Sequence, residues 1–162
     1  MKYPSTVRES KKRSGVKPET SAAGPHSQLT QQSSAIFWNA LVERTKLIPN
    51  VMHGVSSVSP RTSIALLFDD LTAISLPESS LSSKAPLEPV HIHGPHDTSL
   101  HLCLPLDRAQ EVCELGWGEP HQFADFGTQI MIYGPRDELE LETVLGFIQE
   151  SLAFARGGDS KS

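Results

Sequence analysis

The sequence predicts a small α+β domain, an antiparallel sheet with helices packed on one face. Three observations carry that prediction. Short segments with strand-like alternation occupy the middle of the chain, helices bracket them at both ends, and turn chemistry separates the strands.

Taken in order, residues 1–32 are rich in Ser, Thr, Lys, Gln, Gly and Pro and have no apolar period. Such a segment buries too little surface to offset its ordering entropy, so it is expected to be a disordered basic tail. The domain is expected over residues 33–157, with 158–162 again disordered. Ser33 or Ser34 is placed to cap a helix running to about Leu47, with Ile36, Phe37, Ala40 and Leu41 on one face, and Pro49-Asn50 stops it. Residues 51–58 suit a strand. Ser63–Phe68 and Leu71–Leu76 flank Asp69-Asp70 as a candidate hairpin, and residues 77–89 read as a surface loop. Val90–His93 and Leu100–Leu104 are short strands around the turn Gly94-Pro95-His96-Asp97. Asp107 caps a short helix through Glu114, and Gly116 ends it. Gln129–Tyr133 is another strand. Asp137 caps the last helix, with Glu140 three residues on, and Leu141, Val144, Leu145, Ile148, Leu152 and Ala155 form its apolar stripe.

Composition narrows the function classes. The net charge of −5 hides an asymmetry: residues 1–34 carry six basic and two acidic residues, the remainder eight and seventeen. An acidic domain lacks the clustered Lys/Arg that phosphate contacts need, so nucleic acid is not an expected partner. No apolar run is long enough to span a bilayer, and no apolar stretch follows the basic N-terminal residues as in a secretory signal. These features point to a cytoplasmic protein without membrane contact; Lys11-Lys12-Arg13 reads as a solvated run, with a nuclear signal as the alternative. Cys103 and Cys113 are expected as free thiols. Oligomeric state is not encoded in any pattern of the sequence.

Five of the seven histidines lie between positions 91 and 121. His91 and His93 are two apart, so on a strand they share a face, and His101 shares a face with Ser99 and Cys103. Paired strands would bring the two sets together. His91, His93 and His101 are therefore candidate ligands for a divalent metal, and His96, Asp97, Glu119 and His121 are further site candidates from loops. The competing reading is proton transfer, which suits imidazole near neutrality. Gly116-Trp117-Gly118-Glu119-Pro120-His121 offers an indole to stack on a flat ligand, or a core Trp sealing a helix end, and it spaces Glu119 and His121 as an acid–base pair. Tyr133 leads into Arg136, a candidate clamp for a ligand anion that could equally pair with a nearby acid. No nucleophile elbow, P-loop or dinucleotide fingerprint occurs.

Three ordered blocks resemble fungal luciferases. His91-Ile92-His93-Gly94-Pro95-His96-Asp97-Thr98-Ser99-Leu100-His101-Leu102 is similar to their histidine-rich block, Gly116–His121 to the block that follows, and Tyr133–Asp137 to the entry into their final helix. The resemblance covers about Pro89–Ala155; residues 33–88 show no matching block. It implies a luciferase domain, an oxygenase-like enzyme using molecular oxygen as co-substrate. In the fungal luciferases the substrate is 3-hydroxyhispidin, a hydroxylated α-pyrone. Carried over by position, it implies His91, His93, His96, Asp97, His101, Trp117, His121 and Arg136 as site residues. The expectation is oxidative chemistry on an enolisable aromatic or pyrone-type small molecule rather than light emission itself. The alternatives are a non-catalytic small-molecule or metal-binding module, and an interaction protein acting through its basic tail.

Overall fold

The computed structural model describes residues 11–56, 62–69, 78–82, 88–121 and 126–157. Within them lie helix α1 (Ala35–Thr45), strands β1 (Val51–Val55), β2 (Ile64–Phe68), β3 (Val90–Ile92) and β4 (Leu100–Cys103), helix α2 (Leu106–Glu114), strands β5 (Gly118–Pro120) and β6 (Gln129–Ile132), and helix α3 (Glu138–Ala155). The six strands form one antiparallel sheet in the order β1-β2-β3-β4-β6-β5. The predicted α+β class, with helices on one face, is what the chain adopts.

Period-two alternation divides the sheet into two chemically distinct faces. Leu66, Val90, Ile92, Leu100, Leu102, Ile130 and Ile132 point into one core with Leu41 of α1, Ala109 and Val112 of α2, and Leu141, Val144, Phe147 and Ile148 of α3. On the opposite face one register row crosses the sheet. Ala65 pairs with His91, His91 with His101, His101 with Met131, and Met131 with Glu119.

Local signals explain the elements. The Ser34 hydroxyl accepts from Phe37 N–H at the start of α1, and the Asp137 carboxylate accepts from Glu140 N–H at 2.8 Å at the start of α3. Gly116, at φ +86°, takes the left-handed turn that ends α2. The Gly94–Asp97 turn closes the β3–β4 hairpin, with Asp97 N–H donating to Gly94 O at 3.1 Å.

Several expectations are corrected. Asp107 lies inside the first turn of α2; Pro105 precedes the helix and supplies no side-chain cap. β2 pairs backward with β1, Phe68 opposite Val51, while the predicted second hairpin arm at 71–76 lies outside the described residues. The loop at 77–89 is not wholly on the surface, since Ser80, Leu81 and Glu88 are buried. β5 was not anticipated as a strand, because Gly-Glu-Pro has no β propensity and is held by pairing alone.

The largest correction concerns the N-terminus. Residues 11–33 do not behave as a free tail. Arg13 N–H donates to Leu115 O at 2.8 Å, and Ser33 N–H to Thr98 Oγ1 at 2.8 Å. Gln28 Oε1 accepts from Gly134 N–H at 3.0 Å, and Gln32 Oε1 from Thr98 N–H at 2.8 Å. The segment is tied down by hydrogen bonds, many of them between a side chain and backbone, rather than by apolar burial. Residues 1–10 and 158–162 lie outside the described residues.

Gly118 is the tightest point of the sheet. A Cβ there would collide with the backbone carbonyl of Met131 on β6. Gly118→Ala must push β5 away from β6, a strain of about 1–3 kcal/mol. A fall in melting temperature of roughly 2–10 °C is expected by calorimetry; an unchanged value would show that β5 docks without close approach.

Candidate functional site

Five imidazoles converge on the non-helical face of the sheet. His101 of β4 is central. Its ring centroid lies 4.8 Å from that of His91, 4.6 Å from His93, 4.4 Å from His121 and 5.5 Å from His26. His26, His91, His93 and His101 are each at most 5% exposed, and His121 is half-buried.

Carboxylates fix the outer nitrogens. His91 Nδ1 lies 2.9 Å from Glu88 Oε2, with Ser82 Oγ at 3.2 Å. His93 Nδ1 lies 3.0 Å from Asp97 Oδ2 and 2.9 Å from Ser99 Oγ. His26 Nε2 lies 2.9 Å from Glu119 Oε2, and that carboxylate also accepts from Thr20 Oγ1 at 3.1 Å and Tyr133 Oη at 2.9 Å.

An ionised carboxylate only accepts, so each of these ring nitrogens carries the proton and the other nitrogen of a neutral ring carries a lone pair. The deduction propagates. His91 Nε2 becomes an acceptor, and it lies 2.9 Å from His101 Nδ1, which must donate. His101 Nε2 is then a lone pair. By the same reasoning His26 Nδ1 is a lone pair. Both atoms are buried and have no hydrogen-bond partner among the described residues. An orphaned buried polar atom of this kind costs about 1–3 kcal/mol.

Burial keeps His91, His101 and His121 neutral. Desolvation first, then the neighbouring His91, His93, His121 and His26, hold His101 well below the ordinary imidazole value. Burial likewise lowers His91, and burial followed by repulsion from His26 brings His121 down to about 4. Burial raises the Asp97 carboxyl, but hydrogen bonds from His93 and Ser99 outweigh it and the net shift is downward. Two triads have ligand atoms mutually within 4.8 Å: His91, His93 and His101, and His26, His101 and His121.

The sequence candidates therefore separate. His91, His93, His101 and His121 meet, with Asp97 behind His93 and Glu119 joined to the cluster through His26. His96 is exposed in the turn and makes no ring contact with the cluster among the contacts described. Trp117 faces the other side of the sheet: it belongs to the core, its ring packs edge-on against Phe147 at 6.0 Å, and Nε1 donates to Lys11 O at 2.7 Å. It seals the end of α2 instead of presenting a stacking surface. Arg136 is engaged by Glu140, with Nε donating to both carboxylate oxygens at 3.0 and 3.1 Å, and Nη2 donating to Ser14 O at 2.8 Å. The local ion pair takes the guanidinium that a ligand anion would need. Tyr133 positions Glu119. Both cysteines are free thiols, and burial pushes Cys103 up to about 12.

Residues 86–151 match the luciferase domain. The chain is similar to a luciferase of Armillaria gallica, 37% identical over 73 residues that make up 41% of this chain and 27% of that protein. It is also similar to a luciferase of Neonothopanus nambi, 29% identical over 87 residues, or 50% of this chain and 33% of that protein. The chain thus spans between a quarter and a third of the length of these curated relatives. No solved structure matches it. Among the described residues no helix is long and apolar enough to cross a membrane.

The luciferase-domain segment contains His91, His93, His101 and His121. His26 lies outside it, and sequence reasoning missed it because a lone His in a polar, aperiodic stretch carries no signal. Glu88 was missed for a similar reason, hidden in a Pro- and Ser-rich loop, although its spacing of three before His91 was a weak cue.

A pH dependence of stability follows. Unfolded imidazoles protonate near 6.5, whereas His91, His101 and His121 resist protonation in the fold. Their contribution is complete above about pH 6.5 and is lost as the pH falls toward the lower folded values, because the unfolded chain binds more protons there. Chelator-treated protein is expected to lose melting temperature steadily from pH 7 to pH 5, and His101→Gln to flatten that slope. A flat wild-type profile over this range would contradict the neutral cluster.

Proposed function

We propose that this luciferase-domain protein is an oxygenase-like enzyme that acts on an enolisable aromatic or pyrone-type small molecule with molecular oxygen as co-substrate. The observation that carries the reading is the His93–Asp97 pair. Asp97 Oδ2 at 3.0 Å and Ser99 Oγ at 2.9 Å hold Nδ1, so Nε2 of a ring that is 5% exposed is a lone pair aimed into the cluster. An imidazole oriented by a carboxylate in this way can act as a general base through its other nitrogen.

His93 removes the acidic hydroxyl proton of the substrate. The resulting enolate is electron-rich at carbon and attacks oxygen. A carbon–oxygen bond forms, dioxygen is reduced by two electrons to the peroxide level, and the substrate carbon is oxidised by the same two electrons. The Nε2–H that His93 gains in this step then donates to the developing anion, a role that Arg136 cannot take while it is held by Glu140. Substrate approaches from the side of His121, the least buried of the converging rings.

The test is oxygen consumption and product formation with a 3-hydroxylated α-pyrone. Turnover is expected, His93→Gln should lower kcat by about 10²–10⁴-fold, and His96→Ala should leave it unchanged. Binding of the pyrone, seen as a raised melting temperature, without oxygen uptake would replace this reading with a non-catalytic small-molecule binding module.

A further inference from the structure

We infer that His26, His101 and His121 form a binding site for one divalent first-row transition metal ion, and that the ion fastens the N-terminal segment to the sheet. The inference is independent of the oxygenase reading.

Two triads compete for a metal, and hydrogen bonding separates them. In the strand triad of His91, His93 and His101, the nitrogens of His91 and His101 that face each other are already joined at 2.9 Å. A metal there would break that bond and leave His101 with a buried N–H and no acceptor. In the second triad the two nitrogens that His26 and His101 would offer are not engaged with each other or with any described residue. His101 Nε2 and His26 Nδ1 are the only ring nitrogens among the buried side-chain atoms without a partner in the described residues. The carboxylates assign both of them lone pairs, so they cannot satisfy each other. Together with His121 they place three nitrogen donors within 4.8 Å of one another. Small ring rotations, of about 1 Å, would bring them to the roughly 2.0–2.1 Å bond length of an imidazole–zinc bond.

The surroundings suit an ion. Glu119 holds the far nitrogen of His26 at 2.9 Å, and His91, itself held by Glu88, receives the far N–H of His101. Such outer partners orient metal-bound imidazoles and raise their basicity. Three neutral imidazoles select zinc, copper, nickel, cobalt or iron over calcium and magnesium. Three histidines leave the fourth position of a tetrahedral ion to water or a small ligand.

The occupant also explains the polar N-terminal segment. His26 is its one imidazole, it follows Pro25, and it is 4% exposed. Metal bonds from His101 and His121 would close a loop between this segment, β4 and the end of β5.

The test uses the full chain without a histidine tag, stripped with chelator and titrated with Co²⁺, with Zn²⁺ as competitor. One Co²⁺ per chain with visible d–d absorption is expected. His26→Ala and His121→Ala should each weaken binding at least tenfold, and His93→Ala and His96→Ala should leave it within about threefold. Hydrogen exchange of the wild-type protein supplies a reading that needs no variant to fold: Zn²⁺ should slow amides across residues 20–28. Absence of Co²⁺ uptake by folded protein would overturn the inference. So would uptake that survives His26→Ala and disappears in His93→Ala, which would put the ion at the strand triad, or exchange over residues 20–28 that Zn²⁺ leaves unchanged.

Discussion

Antiparallel pairing of β3 with β4 puts His91 opposite His101, and almost everything distinctive about the protein depends on that register. Strand side chains alternate strictly between faces, so the same pairing that sends Val90, Ile92, Leu100 and Leu102 into the helical core sends the imidazoles to the other side. A slip of one residue would bury His91 and His101 under α3 and expose the leucines. The hydrophobic effect on one face therefore enforces the geometry of the polar cluster on the other. The short Gly94–Asp97 turn and the pairing of β4 with β6 extend the row through Met131 to Glu119.

A second layer of order comes from acids rather than apolar groups. Glu88, Asp97 and Glu119 each approach one ring nitrogen at about hydrogen-bond length. Each therefore selects a tautomer, and the selection passes from His91 to His101 through their shared hydrogen bond. Burial supplies the complementary effect by keeping His91, His101 and His121 neutral. The result is a set of oriented lone pairs in a region of low solvent exposure. That property is common to general bases and to metal ligands, and it is why both readings of the cluster arise from one geometry.

The helical face was legible because apolar periodicity is a local signal. Leu141, Val144, Leu145, Ile148 and Leu152 announce α3 without knowledge of anything else, and Asp137 marks its start. The convergence of His91 with His101 was legible in outline, since two-residue spacing and a turn between strands require it. Trp117 and Arg136 were not resolvable from sequence. Their neighbours do not determine which face a Trp flanked by glycines takes, and Arg136 depends on whether Glu140 reaches back across the helix start, which it does. Glu140 thereby serves Arg136 rather than closing a capping box on Asp137.

The N-terminal segment shows where compositional reasoning fails physically. Low hydrophobicity predicts disorder when apolar burial is the only source of stabilisation considered. Residues 11–33 instead use amide side chains, those of Gln32 and Gln28, to satisfy the backbone N–H groups of Thr98 and Gly134. Gln28 and Gln32 act as surrogate backbone for strand ends and turns. Each such bond is worth only about 1 kcal/mol, so the segment is held by their sum and by whatever engages His26. A segment fastened mainly by polar contacts should be among the first parts of the molecule to open. This one carries an imidazole into the cluster and covers the face on which the other histidines lie. Opening of the segment would therefore withdraw His26 from the cluster.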